Sequence, residues 1–479
     1  MKSLVLALAL LGLLPSSSSA DADRYVVALG APEGDAYEAA ACEIASLHAG
    51  ATIVRFDPVD LDALSAELRA IRPRYVCVVL PREAMDVKLA RRFLLMATGI
   101  DEDPFVDFSY GFVTGADAEG ALAFARNIAR KAREGTRTKS ILSCAICDMD
   151  VCQTWEEDEA GGWKHTHLAV GAGDADRATY LLENLPQLAG NDLIHLTGHG
   201  GPDGIGDGWS AADIAKSGVD LYPAVAVSCA CYTGVVGKCY FPDGAGGMRE
   251  YDSPPDQCFA LALIRAGVTG YFAGVDGWHG LISMRVVSAL LHEGVTCGDA
   301  ARETYDRMVL QWREKGYSPE RILEMKEGDL EEARCVTGSN MVFFGDPASR
   351  VRDSRPDRVR VVIPDRNAVG GPISLAVRYE AGEAPGSPYS YYTCEDFGPQ
   401  GRKEIAFDVA LPAGEKIDSV RLQKVNVEEA STAQVLWGED LRGRRRVLHV
   451  VLVFPGDANA IAKRLEEEGL SVSIAISPR

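Results

Sequence analysis

Cys231 and His199 are the residues whose type and setting could do nucleophilic chemistry. A thiolate attacks a carbonyl carbon, and an imidazole beside it moves the protons. Each residue closes a short apolar run. Leu193-Ile194-His195-Leu196 leads into Thr197-Gly198-His199-Gly200-Gly201, and Ala224-Val225-Ala226-Val227 leads into Ser228-Cys229-Ala230-Cys231. Such runs, ended by small residues, read as strands of a parallel sheet covered on both faces. Ligands and catalytic groups gather just beyond the carboxyl ends of such strands. Two neighbouring strands would bring His199 and Cys231 together, although 32 positions separate them. The glycines around His199 and Ala230 beside Cys231 leave room for a substrate backbone and for main-chain N–H donors.

Other residues compete for a role. His195 lies inside its strand and reads as core. Cys231 could instead be bridged to Cys239; a bridge to Cys229 is geometrically poor, because alternate residues of a strand stand too far apart. Cys144, Cys147, Cys152, His165 and His167 have roughly zinc-like spacing, yet Cys144 and Cys147 would point to opposite faces of a strand end. Asp203 and Asp207, among glycines, could take Ca²⁺, though the spacing fits no EF-hand loop. Otherwise no cofactor or metal is expected. Glu156-Glu157-Asp158-Glu159 reads as a solvated loop that could favour a basic substrate side chain if it borders the cleft. The Gly-x-Ser-x-Gly elbow and the Gly-x-Gly-x-x-Gly dinucleotide fingerprint are both missing.

The elements that must position the pair alternate. Strand-like runs at 24–29, 51–56 and 75–80 are interleaved with helical patterns at 35–48 and 61–71, and a long amphipathic helix covers 116–133. The pattern restarts with strands at 140–146, 193–196, 224–227 and 268–273. Helices are predicted at 174–188, 257–265, 281–291 and 299–313. After Gly345-Asp346-Pro347 the texture turns to strands at 358–363, 373–379, 404–411 and 420–425. The chain then runs strand, helix and strand over 447–454, 459–468 and 470–476. The fold class is α/β: doubly wound parallel sheets in two subdomains, followed by a β-sandwich-like module. The divisions fall at 1–20, 21–136, 137–352 and 353–479.

The chain has 479 residues, with 69 acidic against 49 basic side chains and a formal net charge of −20. So acidic a surface repels phosphates, which argues against nucleic-acid or anionic-membrane binding. Met1-Lys2, the apolar run Leu4 to Leu14 and Pro15 to Ala20 have the three parts of a secretory signal, with cleavage expected after Ala20. That core is too short to span a bilayer, and no later run is long enough. The mature chain is therefore expected to be secreted, periplasmic or at the cell surface. Twelve cysteines are compatible with export but do not divide stapling from catalysis. No long pro-segment separates Ala20 from the first strand, so an N-terminal inhibitory domain is not expected.

A strand with His-Gly followed by a strand with Ala-Cys resembles the caspase-like cysteine peptidases. Within them the chain is most similar to the gingipain family. The matching stretches are Leu196-Thr197-Gly198-His199-Gly200-Gly201, Val227-Ser228-Cys229-Ala230-Cys231, Phe259 to Ala266, Gly270 to Gly274 and Phe343-Phe344-Gly345-Asp346-Pro347. The resemblance implies a caspase-like fold over about residues 24 to 350, with an Ig-like module after it. It implies Cys231 as nucleophile, His199 as proton carrier, and the backbone N–H groups of Gly200 and Cys231 as the oxyanion hole. Asp148 matches the position of an acid that orients the His, with Asp150 in reserve; the family's usual residue there is Glu. Trp278 falls where a Trp covers the pocket for the substrate side chain, though core packing would also explain it. The expected function is a secreted cysteine endopeptidase acting on proteins or peptides. The rival is a catalytically silent relative used for binding or surface assembly. A transpeptidase with the same dyad is a third reading.

Overall fold

The structure, a computed structural model, describes residues 24–135, 140–145, 151–158, 163–169, 185–206, 209–242, 248–277, 280–291, 294–314, 316–318, 340–351, 359–362, 373–379, 403–411, 417–425, 433–442, 445–454 and 470–478. The first half is built from β1 (Tyr25–Leu29), α1 (Tyr37–Ala45), β2 (Thr52–Arg55), α2 (Asp62–Ile71), β3 (Tyr75–Val79), α3 (Val87–Ala97), β4 (Ser109–Val113) and α4 (Ala118–Glu134). β1, β3 and β4 are buried at every position, as apolar runs covered on both faces should be. The Asp86 and Asp117 side chains accept from Leu89 N and Gly120 N, and so cap the starts of α3 and α4.

The second half carries β5 (Ser140–Ala145), β6 (Val151–Glu157), β7 (Trp163–Ala169), β8 (Leu193–Thr197), three two-residue strands β9 (Gly200–Gly201), β10 (Gly204–Ile205) and β11 (Trp209–Ser210), and α5 (Ala211–Ser217). There follow β12 (Val225–Ser228), a hairpin of β13 (Lys238–Pro242) and β14 (Met248–Asp252), α6 (Phe259–Arg265), β15 (Gly270–Gly274), α7 (Gly280–Leu290), α8 (Cys297–Glu314) and β16 (Met341–Gly345).

Both halves share one sheet of eleven strands, in the order β2-β1-β3-β4-β16-β15-β12-β8-β5-β6-β7. The α/β class is as expected, but the wound units are not separate parallel sheets. β16 runs antiparallel to β15 and meets β4 where Phe344 lies beside Phe112. β6 and β7 add an antiparallel edge. The acidic run begins in a strand: Glu156 and Glu157 end β6, where Glu156 lies opposite Lys164, Asp158 follows the strand, and Glu159 lies outside the described residues. Of the helix expected over 174–188, residues 185–188 form a 3₁₀ turn and 174–184 lie outside the described residues.

Beyond residue 352 are two antiparallel sheets. One is β17 (Val359–Val362), β18 (Ile373–Tyr379), β23 (Leu470–Pro478) and β20 (Ile417–Val425); the other is β19 (Lys403–Leu411), β22 (Arg445–Phe454) and β21 (Gln434–Arg442). The second rests on the first part of the chain. An added Cβ at Gly438 of β21 would strike the Phe105 ring at 2.3 Å, with Leu310 of α8 at 3.1 Å. The helix expected at 459–468 lies outside the described residues. Among those described, no helix is long and apolar enough to cross a membrane.

Candidate active site

β8 and β12 are hydrogen-bonded neighbours running parallel, with Ser228 opposite Leu196 and Val227 opposite His195. The pairing extends one step further, since Cys229 N donates to Leu196 O at 2.7 Å. His199 and Cys231 therefore leave the same end of adjacent strands. The two loops pack closely at Gly200. A Cβ there would lie 2.6 Å from Ala230 Cβ, 2.8 Å from Cys231 O and 2.9 Å from Thr233 Cγ2. Only a residue without a side chain fits that approach. The His199 loop returns on itself, because Gly206 N donates to His199 O and Gly200–Gly201 pairs with Gly204–Ile205. This leaves His199 exposed at the tip.

Cys231 is half-buried, against a small cluster of Tyr232, Val235 and Cys239. The chain turns sharply after it: Tyr232 has φ 61°, a left-handed conformation that costs an L residue roughly 1–2 kcal/mol. Neighbouring groups hold the turn. The Thr233 hydroxyl lies 2.9 Å from both the Ser228 hydroxyl and Ala230 O, and Tyr271 donates to Thr233 O. Tyr232 N donates to Asp276 O, and Gly234 N to Gly274 O. Cys239 does not capture Cys231; it is a buried thiol that burial pushes up to about 12.

His195 sits one turn of the pleat deeper. It is 1% exposed, bonds the Ser283 hydroxyl at 3.1 Å, and burial drops its pKa to about 3. It is a neutral core residue, as its place inside the strand suggested. Of the zinc-like set, His165 stacks its ring on Trp155 at 4.8 Å and bonds Gln153 at 3.0 Å. Cys144 and Cys152 are register partners on β5 and β6. Cys147, Asp148, Asp150, Asp207 and Trp278 lie outside the described residues. The strand before Asp148 does reach the site: β5 pairs with β8 on the side away from β12, with Ala145 opposite Thr197. The loop before Trp278 also does, through Asp276.

The segment bearing both loops, residues 156–352, matches the model of peptidase family C25. That segment is similar to the gingipain family. The match covers less than half of the chain, and the family is one of cysteine peptidases. No curated protein matches the chain significantly. The C25 match spans His199, Cys231 and the Asp276 loop, and it ends where the β-rich texture begins. It leaves out β1–β5, although they continue the same sheet.

Sequence reasoning passed over three residues at the edge of this site. Asp276, Arg91 and Asn340 form one polar cluster beside the Cys231 turn, with Arg91 on α3 and Asn340 just before β16. The only local signal was the acid in Gly274-Val275-Asp276-Gly277.

Proposed function

We propose that the C25 domain is a cysteine endopeptidase in which Cys231 and His199 form the reacting pair. The Cys231 Sγ thiolate adds to the carbonyl carbon of the scissile bond. The C–N bond breaks as His199 gives a proton to the leaving amine, leaving a thioester. Water then adds to the thioester, His199 takes its proton, the acid departs and the thiolate returns. The N–H groups of Gly200 and Cys231 are the donors assigned to the developing oxyanion. Asp148 is assigned to orient His199, and Trp278 to border the substrate side chain. Protein or peptide substrates follow from this chemistry. Residues 1–20 are read as a removed export signal, with 21–136, 137–352 and 353–479 as successive units.

The observation that carries the reading is the fit of Gly200 against Ala230, Cys231 and Thr233, which joins the two loops. The test is cleavage of a mixed peptide library under mild reductant by the mature protein, beside Cys231→Ala and His199→Ala. Turnover lost in both variants supports the dyad, and internal cut sites support an endopeptidase. Turnover that survives either change, or none in the parent, sinks the proposal and favours the binding-protein reading.

A further inference from the structure

Two arginines from the segment after β3, outside the C25 match, grip the chain on either side of the Cys231 turn. Arg91 on α3 is the first. Its Nε and Nη2 donate to Asn340 Oδ1 at 3.1 and 2.7 Å, and Nη2 also donates to Asp276 Oδ2 at 3.0 Å. The other Asp276 oxygen accepts from Gly277 N at 2.7 Å. Asn340 completes the cluster: its Nδ2 donates to Gly277 O, and its carbonyl accepts from Val275 N. Residues 275–277 are thus fixed through both backbone and side chain. The Asp276 carbonyl, in turn, receives the N–H of Tyr232, the left-handed residue directly after Cys231.

Arg82 is the second. It is 8% exposed, and its Nη1 donates to Val236 O at 2.9 Å and Ser253 O at 2.8 Å. The backbones are as close as they can be here, since a Cβ on Gly237 would lie 2.7 Å from Arg82 O. The turn from Cys231 to Gly237 is therefore held at its start through Arg91 and at its end by Arg82.

We propose that Arg91 is a positioning residue for the peptidase site. Through Asp276 it fixes the backbone that aims Cys231 and the loop that leads into Trp278. The inference rests on Cys231 being the nucleophile. A planar guanidinium suits the task, because it serves Asp276 and Asn340 at once from fixed directions; an ammonium is a point charge without that fork. The N-terminal unit is then a working part of the enzyme.

The test uses the full chain with Arg91→Lys, Asp276→Asn and the double variant, and with Arg92→Lys as control. Arg92 neighbours Arg91 on the same helix but reaches Val59 O at the surface. Three readouts are compared: kcat/KM, thermal midpoint, and hydrogen exchange of the peptide spanning 229–237. Arg91→Lys is expected to lower kcat/KM about ten- to a hundredfold, chiefly in kcat, because small misplacement of a reacting group is costly. Exchange at 229–237 should quicken while the midpoint moves little. The double variant should lose no more than the worse single, and Arg92→Lys should match the parent. Unchanged exchange and kcat/KM in Arg91→Lys, additive losses, or losses that track unfolding would overturn the proposal. If the parent has no Cys231-dependent turnover, the peptidase reading fails separately, and the exchange data alone decide whether Arg91 holds the turn.

Discussion

At Gly200 the physical requirement is steric and local. A methyl added there would sit under 3.0 Å from Ala230 Cβ, Cys231 O and Thr233 Cγ2, and the carbonyl cannot swing aside like a long side chain. One loop must therefore retreat. Gly200→Ala is expected to cut kcat/KM at least a hundredfold and to destabilise by roughly 1–3 kcal/mol, as overpacking does. Kinetics beside thermal unfolding check both, and near-parental turnover would show that the loops do not need this contact. Much at this scale was legible in the sequence. Small residues around His199 and Cys231 marked loops that meet something, and the depth of His195 in an apolar run marked it as core. Arg91 and Asp276 were not legible. They lie 185 positions apart, and nothing local in either stretch reports a partner so distant.

At the scale of elements, the buried parallel strands announced themselves because burial on both faces demands an unbroken apolar run. The elements passed over are those whose neighbours decide their state. β6 and β7 are polar and edge-like, and they become strands because β6 pairs with β5 and β7 pairs with β6. α3 mixes Lys88, Arg91 and Arg92 with apolar residues, and its cap at Asp86 is the cue that was available. β16 looked only like the close of a domain. It is the strand that joins the two halves, and its junction with β4 is tight. A Cβ on Gly111 would lie 2.5 Å from Gly345 O and 2.7 Å from the Phe343 ring. Gly345 itself has φ 142°, so the strand has little freedom to yield. Gly111→Ala should therefore destabilise by about 2–4 kcal/mol. A single cooperative transition displaced to lower temperature is expected; an unmoved midpoint would mean the halves are joined elsewhere.

Across the whole molecule, the C-terminal sheet meets the rest of the chain at an ionic cluster in which His449, Asp440 and Asp306 are buried and Asp408 is exposed. His449 of β22 bonds Asp408 of β19 at 2.6 Å through Nδ1 and Asp440 of β21 at 2.8 Å through Nε2; Asp306 of α8 lies 3.7 Å from Nε2. Arg302 of α8 stands 4.0 Å from Asp306, and the Phe105 ring lies 5.0 Å from the imidazole. Burial alone would lower the His449 pKa. The bonds to Asp408 and Asp440 and the charges of Asp408 and Asp306 outweigh it and raise the value to about 9. Val106 N donates to Asp306 Oδ1, so the loop after α3 belongs to the same junction. In that loop burial, then the charge of Asp101, pushes Asp107 up to about 8. Both groups bind their proton more tightly folded than unfolded, so both stabilise most at low pH and lose that contribution as pH rises. For His449 the loss runs from about 6.5 to about 9 and amounts to about 3 kcal/mol. His195 acts oppositely. Its folded pKa of about 3 means stability falls as pH drops below about 6.5. Between about pH 4 and 6.5 the opposed slopes of Asp107 and His195 cancel, so the thermal midpoint of the full chain should hold nearly level there and fall above about pH 6.5. His449→Gln should make the alkaline fall shallower and leave the level region, while His195→Gln should extend the fall down to about pH 4 even where it lowers the midpoint throughout. If the alkaline limb keeps its slope in His449→Gln, the junction is not held by a charged imidazole, and the two sheets dock on apolar contacts such as Gly438 against Phe105 alone.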